Sequence, residues 1–318
     1  MPSASRVPTE IWLVRTPRAD TSAARRWTVD SAEVALPDGV SAVADTWIVL
    51  DSATFRPILV SAPPGFLSRL PSIRHFALVT SFQGARYHPE VVRGLIESRT
   101  VLGAAAGTIA TSLSIRSTDG LLLDLQDMAQ GDLRTLADVS RELADSARAH
   151  SRREIGIIIP ASDSAGYPAR ILARTADVLI VRLYPEHGVG NAPGPVVSLS
   201  WFARGLGGRA SEVGVNRLAA GVPADGILWN SAGDARSISY AEAIRLARSA
   251  DVAVTRDPAS GNLHATSSRD GWELWVADHD LIRTLIAEAR RIGVTRIALF
   301  GTEGADPELW RLPEMIRR

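Results

Sequence analysis

The stretch Asp119-Gly120-Leu121-Leu122-Leu123-Asp124-Leu125-Gln126-Asp127-Met128 sets a carboxylate inside an almost continuous apolar run. Read as a strand, Leu121–Gln126 directs alternate side chains to opposite faces. Leu121, Leu123 and Leu125 share one face, and Leu122, Asp124 and Gln126 share the other. So unbroken a run suits a parallel strand covered on both faces. A carboxylate in that setting is costly unless hydrogen-bonded. Asp124 is therefore either a buried aspartate serving only the packing, or part of a site.

Working outward, Val-, Ile- and Leu-rich runs read as seven further strands: Ile11–Arg15, Trp47–Leu50, Phe76–Thr80, Ile155–Pro160, Val178–Tyr184, Leu218–Pro223 and Ile297–Phe300. Helical periodicity is clearest in Leu133–Arg152 and good in Pro89–Ser98, Ala241–Ser249 and Asp278–Ile292. Strand and helix alternating about eight times predicts a (β/α)8 TIM barrel, with a doubly wound open sheet as the alternative. In a barrel, Leu122, Asp124 and Gln126 face the interior, and Gln126 lies at the C-terminal strand end where barrel sites form. Two stretches break the rhythm. Ser52–Ser72 carries several prolines and reads as an irregular excursion. Asn230–Ala277 holds a helix followed by strand-like pieces at Val252–Thr255, Asn262–Thr266 and Trp272–Val276. The expectation is one barrel domain over residues 1–318, with a small α+β subdomain at 230–277 inserted between the seventh and eighth strands.

The 318 residues carry zero formal net charge, which gives no electrostatic case for nucleic acid or an anionic membrane. No segment has the ~18 consecutive apolar residues of a membrane helix. The first twenty residues lack the basic and apolar regions of a signal peptide. Arginine is the basic residue throughout, without lysine, so lysine Schiff-base chemistry is excluded. With no cysteine there are no disulfides, thiolate metal sites or cysteine nucleophile. The scattered histidines form no HExxH or comparable spacing, so neither a metal nor a cofactor is expected. Gly205-Leu206-Gly207-Gly208 does not follow a strand as a phosphate loop requires.

Several segments, in chain order, change the balance for Asp124. Asp119 to Gln126 resembles the fourth-strand signature DxxDxDxE of glycoside hydrolase family 18. Val181-Arg182-Leu183-Tyr184-Pro185-Glu186-His187 is similar to that family's M-x-Y-D-E-H in its spore-germination branch, and Pro193-Gly194-Pro195 with Trp201 to the continuation. Leu218 to Gly226, then Trp229, looks like LGIPxYGxxW, and Asp306-Pro307-Glu308-Leu309-Trp310 like the closing EDPxxW. The resemblance spans roughly residues 75 to 310.

That resemblance implies a chitinase-like barrel with substrate-assisted hydrolysis. The last glutamate of the signature protonates the leaving oxygen, and the aspartate two residues earlier holds the substrate acetamido group. Carried over by position, the aspartate is Asp124 and the acid is replaced by Gln126. An amide cannot act as a general acid, and losing that role typically costs about 10²–10⁴-fold. The pattern departs further at Leu122, Pro185, Asp225 and Phe300, whereas Asp119, Asp124, Tyr184 and Trp229 are kept. The implied reading is a pseudoenzyme that binds a β-linked N-acetylglucosamine polysaccharide. Gln126, Asp124, Asp119 and Tyr184 stand at the catalytic positions, and Trp229, Asp225, Phe300 and Glu186 are candidate substrate contacts. Each of the latter also has a plainer role, as a core ring or a solvated loop carboxylate. Two rivals remain: an active glycosidase using a substitute carboxylate such as Asp127 or Glu303, and a structural or protein-interaction barrel. The resemblance favours an extracytoplasmic or cell-envelope setting.

Overall fold

The computed structural model describes residues 9–15, 36–60, 72–84, 86–149, 151–163, 165–188 and 190–316. The first half of the chain contains β1 (Glu10–Val14), β2 (Val40–Leu50), β3 (Pro57–Leu59), β4 (Arg74–Thr80), β5 (Phe82–Gln83) and β6 (Arg86–Tyr87). These precede α1 (Pro89–Glu97), α2 (Arg99–Ile115), β7 (Gly120–Asp124), α3 (Leu133–Arg148), β8 (Glu154–Pro160) and α4 (Ala169–Leu172). Then come β9 (Val178–Arg182), α5 (Leu199–Val213), β10 (Leu218–Pro223), β11 (Asp225–Asn230), β12 (Ala235–Ser239) and α6 (Tyr240–Ser249). The chain continues with β13 (Thr255–Arg256), β14 (Leu263–Ser267), β15 (Trp272–Val276), α7 (His279–Ile292) and β16 (Arg296–Phe300). The described residues divide into two compact units, with Ser41–Ile180 forming most of one and Val181–Arg318 together with β1 most of the other.

In the first unit, β2, β4, β7 and β8 pair in parallel in that order, and β9 begins beside β8. Leu121, Leu122 and Leu123 are all fully buried, which accounts for the unbroken apolar run. In the second unit, β9 ends beside β10, and β10, β16 and β1 continue the parallel sheet. In the first unit each parallel strand lies beside its successor along the chain, and in the second β9, β10 and β16 follow one another, with β1 next to β16. A doubly wound sheet instead reverses its order at a switch point. The fold class is the (β/α)8 barrel.

Several local expectations are corrected. The helix expected to end at Ser98 is followed at once by a second, because the Ser98 hydroxyl accepts a bond from Val101 N and caps α2. Leu102, Ala105, Ala106, Ile109, Ala110 and Leu113 form its buried face. Half of that stripe is alanine, so its periodicity is faint to a reader of leucines. Helix α5, capped by Ser198, was hidden by Gly205, Gly207 and Gly208. Part of the Ser52–Ser72 excursion is β3, antiparallel to β2, while residues 61–71 lie outside the described residues.

Between β10 and β16 stands a five-stranded antiparallel sheet in the order β12-β11-β15-β14-β13. It begins at Asp225 and not at the expected Asn230, and two strands, β11 and β12, precede the helix expected to lead. The β11–β12 hairpin turns at Asn230, whose Oδ1 accepts from Ala232 N and Asp234 N at 3.0 and 2.9 Å. One face of this sheet packs on α6 through Ile238, Ala243, Ala247, Ala265, Leu274 and Val276.

Gly120, opposite Phe76 in the β4–β7 register, shows how closely the first unit is packed. A Cβ there would lie 2.2 Å from the Phe76 ring and 2.6 Å from Glu154 O, and the carbonyl cannot swing aside. Gly120→Ala is expected to destabilise the fold by about 1–3 kcal/mol through overpacking, read as a lower urea midpoint at unchanged slope.

Candidate active site

Strand β7 delivers Asp124 as its last residue, opposite Thr80 of β4. The carboxylate is 1% exposed and Gln126 is 5% exposed, so both lie within the interior of the first unit. Gln126 Nε2 donates to Asp124 Oδ1 at 3.0 Å and to Ile158 O at 2.9 Å. Both partners are acceptors, so the amide nitrogen has to face them and its two hydrogens are spent there. The phenol of Tyr87 donates to the other carboxylate oxygen, Oδ2, at 2.8 Å. Asp124 thus receives a hydrogen bond on each oxygen, as a buried carboxylate requires.

The strand stops two residues earlier than its apolar pattern suggests. Tyr167 is the reason: its hydroxyl donates to Leu125 O at 2.9 Å and accepts from Met128 N at 3.1 Å. One buried side chain therefore takes the place of a strand partner, and burial pushes the Tyr167 phenol well above its ordinary pKa. Asp127 then takes a left-handed backbone with φ 62° and is exposed, unlike the buried pair beside it.

The residue that sequence reasoning passed over is Tyr87. It pairs with Phe82 across the two-stranded β5–β6 hairpin, ring centroids 5.0 Å apart and edge to face. The available signal was the spacing Phe82-Gln83-Gly84-Ala85-Arg86-Tyr87 directly after a strand, where Gly84, at φ 58°, makes the turn.

Asp119 is not part of this group. It precedes β7 at the opposite strand end and is exposed, and its Oδ2 accepts from His75 N at 2.8 Å. Its kept identity is explained by tying the start of β4 to the start of β7.

In the second unit, Tyr184 and Phe300 follow and end their strands, with ring centroids 5.5 Å apart and planes at 56°. The Arg182 guanidinium lies over both rings, 5.9 Å from Tyr184 and 5.6 Å from Phe300. Asp225 opens β11, accepts from Ser237 Oγ at 2.7 Å and abuts Gly301. Glu186 is half-buried and accepts from Ser198 N at 2.7 Å, which makes it a brace for the start of α5. Trp229, expected to contact sugar, is 1% exposed, so no ring face is open to stack on a ligand. It sits in the inserted sheet as core, the plainer of its two readings. Glu303 is half-buried in the loop after β16.

No protein-family model matches the chain. A stretch of 159 residues, 48% of the chain, is 22% identical to YdhD of Bacillus subtilis (strain 168), a protein named as a sporulation-specific glycosylase. That match spans only 38% of the relative's length. Among solved structures, the spore cortex-lytic enzyme SleL of Bacillus megaterium QM B1551 is similar over 99% of this chain and 76% of its own, with TM-score 0.77 and 14% identity. A class V chitinase of Nicotiana tobaccum, a glutamate-to-glutamine mutant in complex with NAG4, is similar over 96% of this chain and 98% of its own, with TM-score 0.72 and 14% identity. The chain has the fold of the chitinase-type barrels. At these identities the likeness is one of fold, and the site has to be judged on its own side chains.

Among the described residues, Asp278, His279 and Asp306 form a cluster whose ligand-capable atoms lie within 4.8 Å of one another. Its donors are already engaged. Arg256 bonds both oxygens of Asp278 at 3.1 and 2.5 Å, and His279 Nδ1 meets Asp306 Oδ2 at 2.7 Å. With an arginine already neutralising it, the group reads as a brace at the α7 N-terminus, where Asp278 is the cap. The Asp306 hydrogen bond raises the His279 pKa above its ordinary value, against a smaller opposing effect of burial. A group with a raised folded-state pKa adds stability below its unfolded pKa of about 6.5 and loses it as pH climbs through the higher folded value. The difference in thermal midpoint between wild type and His279→Gln should therefore be largest below about pH 6.5 and shrink as pH rises above it.

Proposed function

We propose that this chain is a glycan-binding barrel related to glycoside hydrolase family 18 that lacks ordinary hydrolytic activity. Its ligand is a β-linked N-acetylglucosamine polysaccharide such as chitin, peptidoglycan or a related exopolysaccharide. The carrying observation is Gln126: buried, at the acid position of the resembled signature, with both amide hydrogens committed to Asp124 and to Ile158 O. An amide so placed cannot donate a proton to a leaving oxygen, yet its Oε1 can still accept from a sugar hydroxyl. Asp124, with a donor on each oxygen, supplies a fixed acceptor for an acetamido N–H.

The tobacco chitinase supports this reading, since it was captured with NAG4 as a variant carrying glutamine in place of glutamate. This chain carries its glutamine by nature. Asp119, Glu186 and Trp229 are left out of the ligand contacts because each already has a structural task, and Phe300 because it is 1% exposed, like Trp229. A substitute acid at Asp127 is disfavoured by its exposure beside a buried site. An extracytoplasmic or cell-envelope setting goes with such a ligand.

The decisive measurement is mass spectrometry of N-acetylglucosamine oligomers after incubation with wild type and, separately, with Gln126→Glu, alongside calorimetric binding. Wild type should bind without cleaving, and Gln126→Glu should bind and yield shorter oligomers. Cleavage by the wild type would overturn the pseudoenzyme reading, and absence of binding by either protein would overturn the glycan reading.

A further inference from the structure

We infer that Tyr87 is the positioning residue that sets Asp124 for a 2-acetamido sugar, in place of the carboxylate that the resembled signature carries at position 122; this rests on the glycan-binding reading above. Position 122 is a leucine, fully buried, which can neither donate to Asp124 nor accept from it. A carboxylate at the end of a buried strand needs donors, and loss of a polar neighbour at 122 leaves that need to be met elsewhere. Tyr87 meets it from a different element, through its bond to Asp124 Oδ2 at 2.8 Å.

The hairpin that carries Tyr87 is tied down along its length. Phe82 N donates to Thr80 Oγ1 at 3.0 Å, and His88 N donates to Ser81 O at 3.0 Å, closing the hairpin onto the end of β4. Gln83 Oε1 accepts from Ser52 N at 3.1 Å, while the His88 ring bonds Gln83 O at 3.0 Å and Glu90 at 2.7 Å. Phe82 packs edge to face on the Tyr87 ring. The phenol is therefore presented from a rigid mount, as a group that positions a ligand-binding side chain must be.

With Gln126 on Oδ1 and Tyr87 on Oδ2, the carboxylate cannot rotate about Cβ–Cγ without breaking one bond. An acetamido N–H points in one fixed direction, because its amide is planar. A sugar 2-hydroxyl turns to find its acceptor. A locked carboxylate therefore favours the acetamido group, and a loosened one favours it less. Tyr87 thus acts on selectivity between 2-acetamido and 2-hydroxyl sugars more than on sugar binding as such.

The test is calorimetric titration of wild type and Tyr87→Phe with chitotetraose and with cellotetraose, together with thermal melting. The variant keeps the ring against Phe82 and removes only the hydroxyl. The expected result is a preference for chitotetraose in the wild type that falls about tenfold in Tyr87→Phe, as for one hydrogen bond to a charged group, with cellotetraose binding unchanged. An unchanged preference, whether both affinities hold or fall together, overturns the inference and leaves Tyr87 a structural residue. Equal binding of both sugars by the wild type overturns it too, but leaves the glycan reading standing. Binding of neither by the wild type overturns both.

Discussion

A carboxylate at the end of a fully buried parallel strand is the constraint around which the first unit is arranged. Asp124 cannot be left unpaired there without a desolvation cost of several kcal/mol. Its neighbours along the strand are leucines, so relief comes from the amide two residues on and from a phenol delivered by another element. The site is less a set of residues placed for a ligand than the solution to that burial problem. Its chemistry follows from which groups supply the solution. An amide that cannot serve as a general acid and a phenol whose proton is directed at Asp124 leave a fixed acceptor, suited to recognition.

The same economy recurs around it. Tyr167 ends β7 by bonding the backbone of Leu125 and Met128, which frees Asp127 to turn outward while Gln126 stays in. Asp119 satisfies an amide at the strand's other end. In the second unit, Glu186 steadies the start of α5, and Asp278 and Asp306 hold the start of α7. Several polar residues that a motif comparison singles out are thus engaged in holding backbone in place. Identity with a family pattern at such positions reports on fold as readily as on activity.

Legibility in the sequence followed the strength of each physical signal. Continuous Val, Ile and Leu runs mark strands covered on both faces, so seven of the barrel strands could be read with small errors at their ends, whereas β2 begins at Val40, seven residues before the expected Trp47. Half of the α2 buried face is alanine and α5 carries three glycines along its length, so neither helix stood out. The inserted sheet was misread at its beginning because Asp225–Asn230 carries glycine and polar residues in a strand held by register with β12 and β15, partners far off or across a turn. At the site, alternation placed Asp124 and Gln126 together, and they are hydrogen-bonded. The same pattern could not show that Trp229 is core.

The sequence by itself determined the parallel-strand architecture, the proximity of Asp124 to Gln126 and the absence of an acid at position 126. These depend on residue type and on spacing of one or two residues, which local geometry converts into position. Only the tertiary structure decided the direction of the Gln126 amide, the placement of Tyr87 on Asp124, the burial of Trp229 and the removal of Asp119 from the site. Each of those depends on contacts between residues tens of positions apart, such as Tyr87 with Asp124 and Gln126 with Ile158. Strand register and hairpin anchoring bring these residues within hydrogen-bonding range, and no local pattern in the chain encodes that distance.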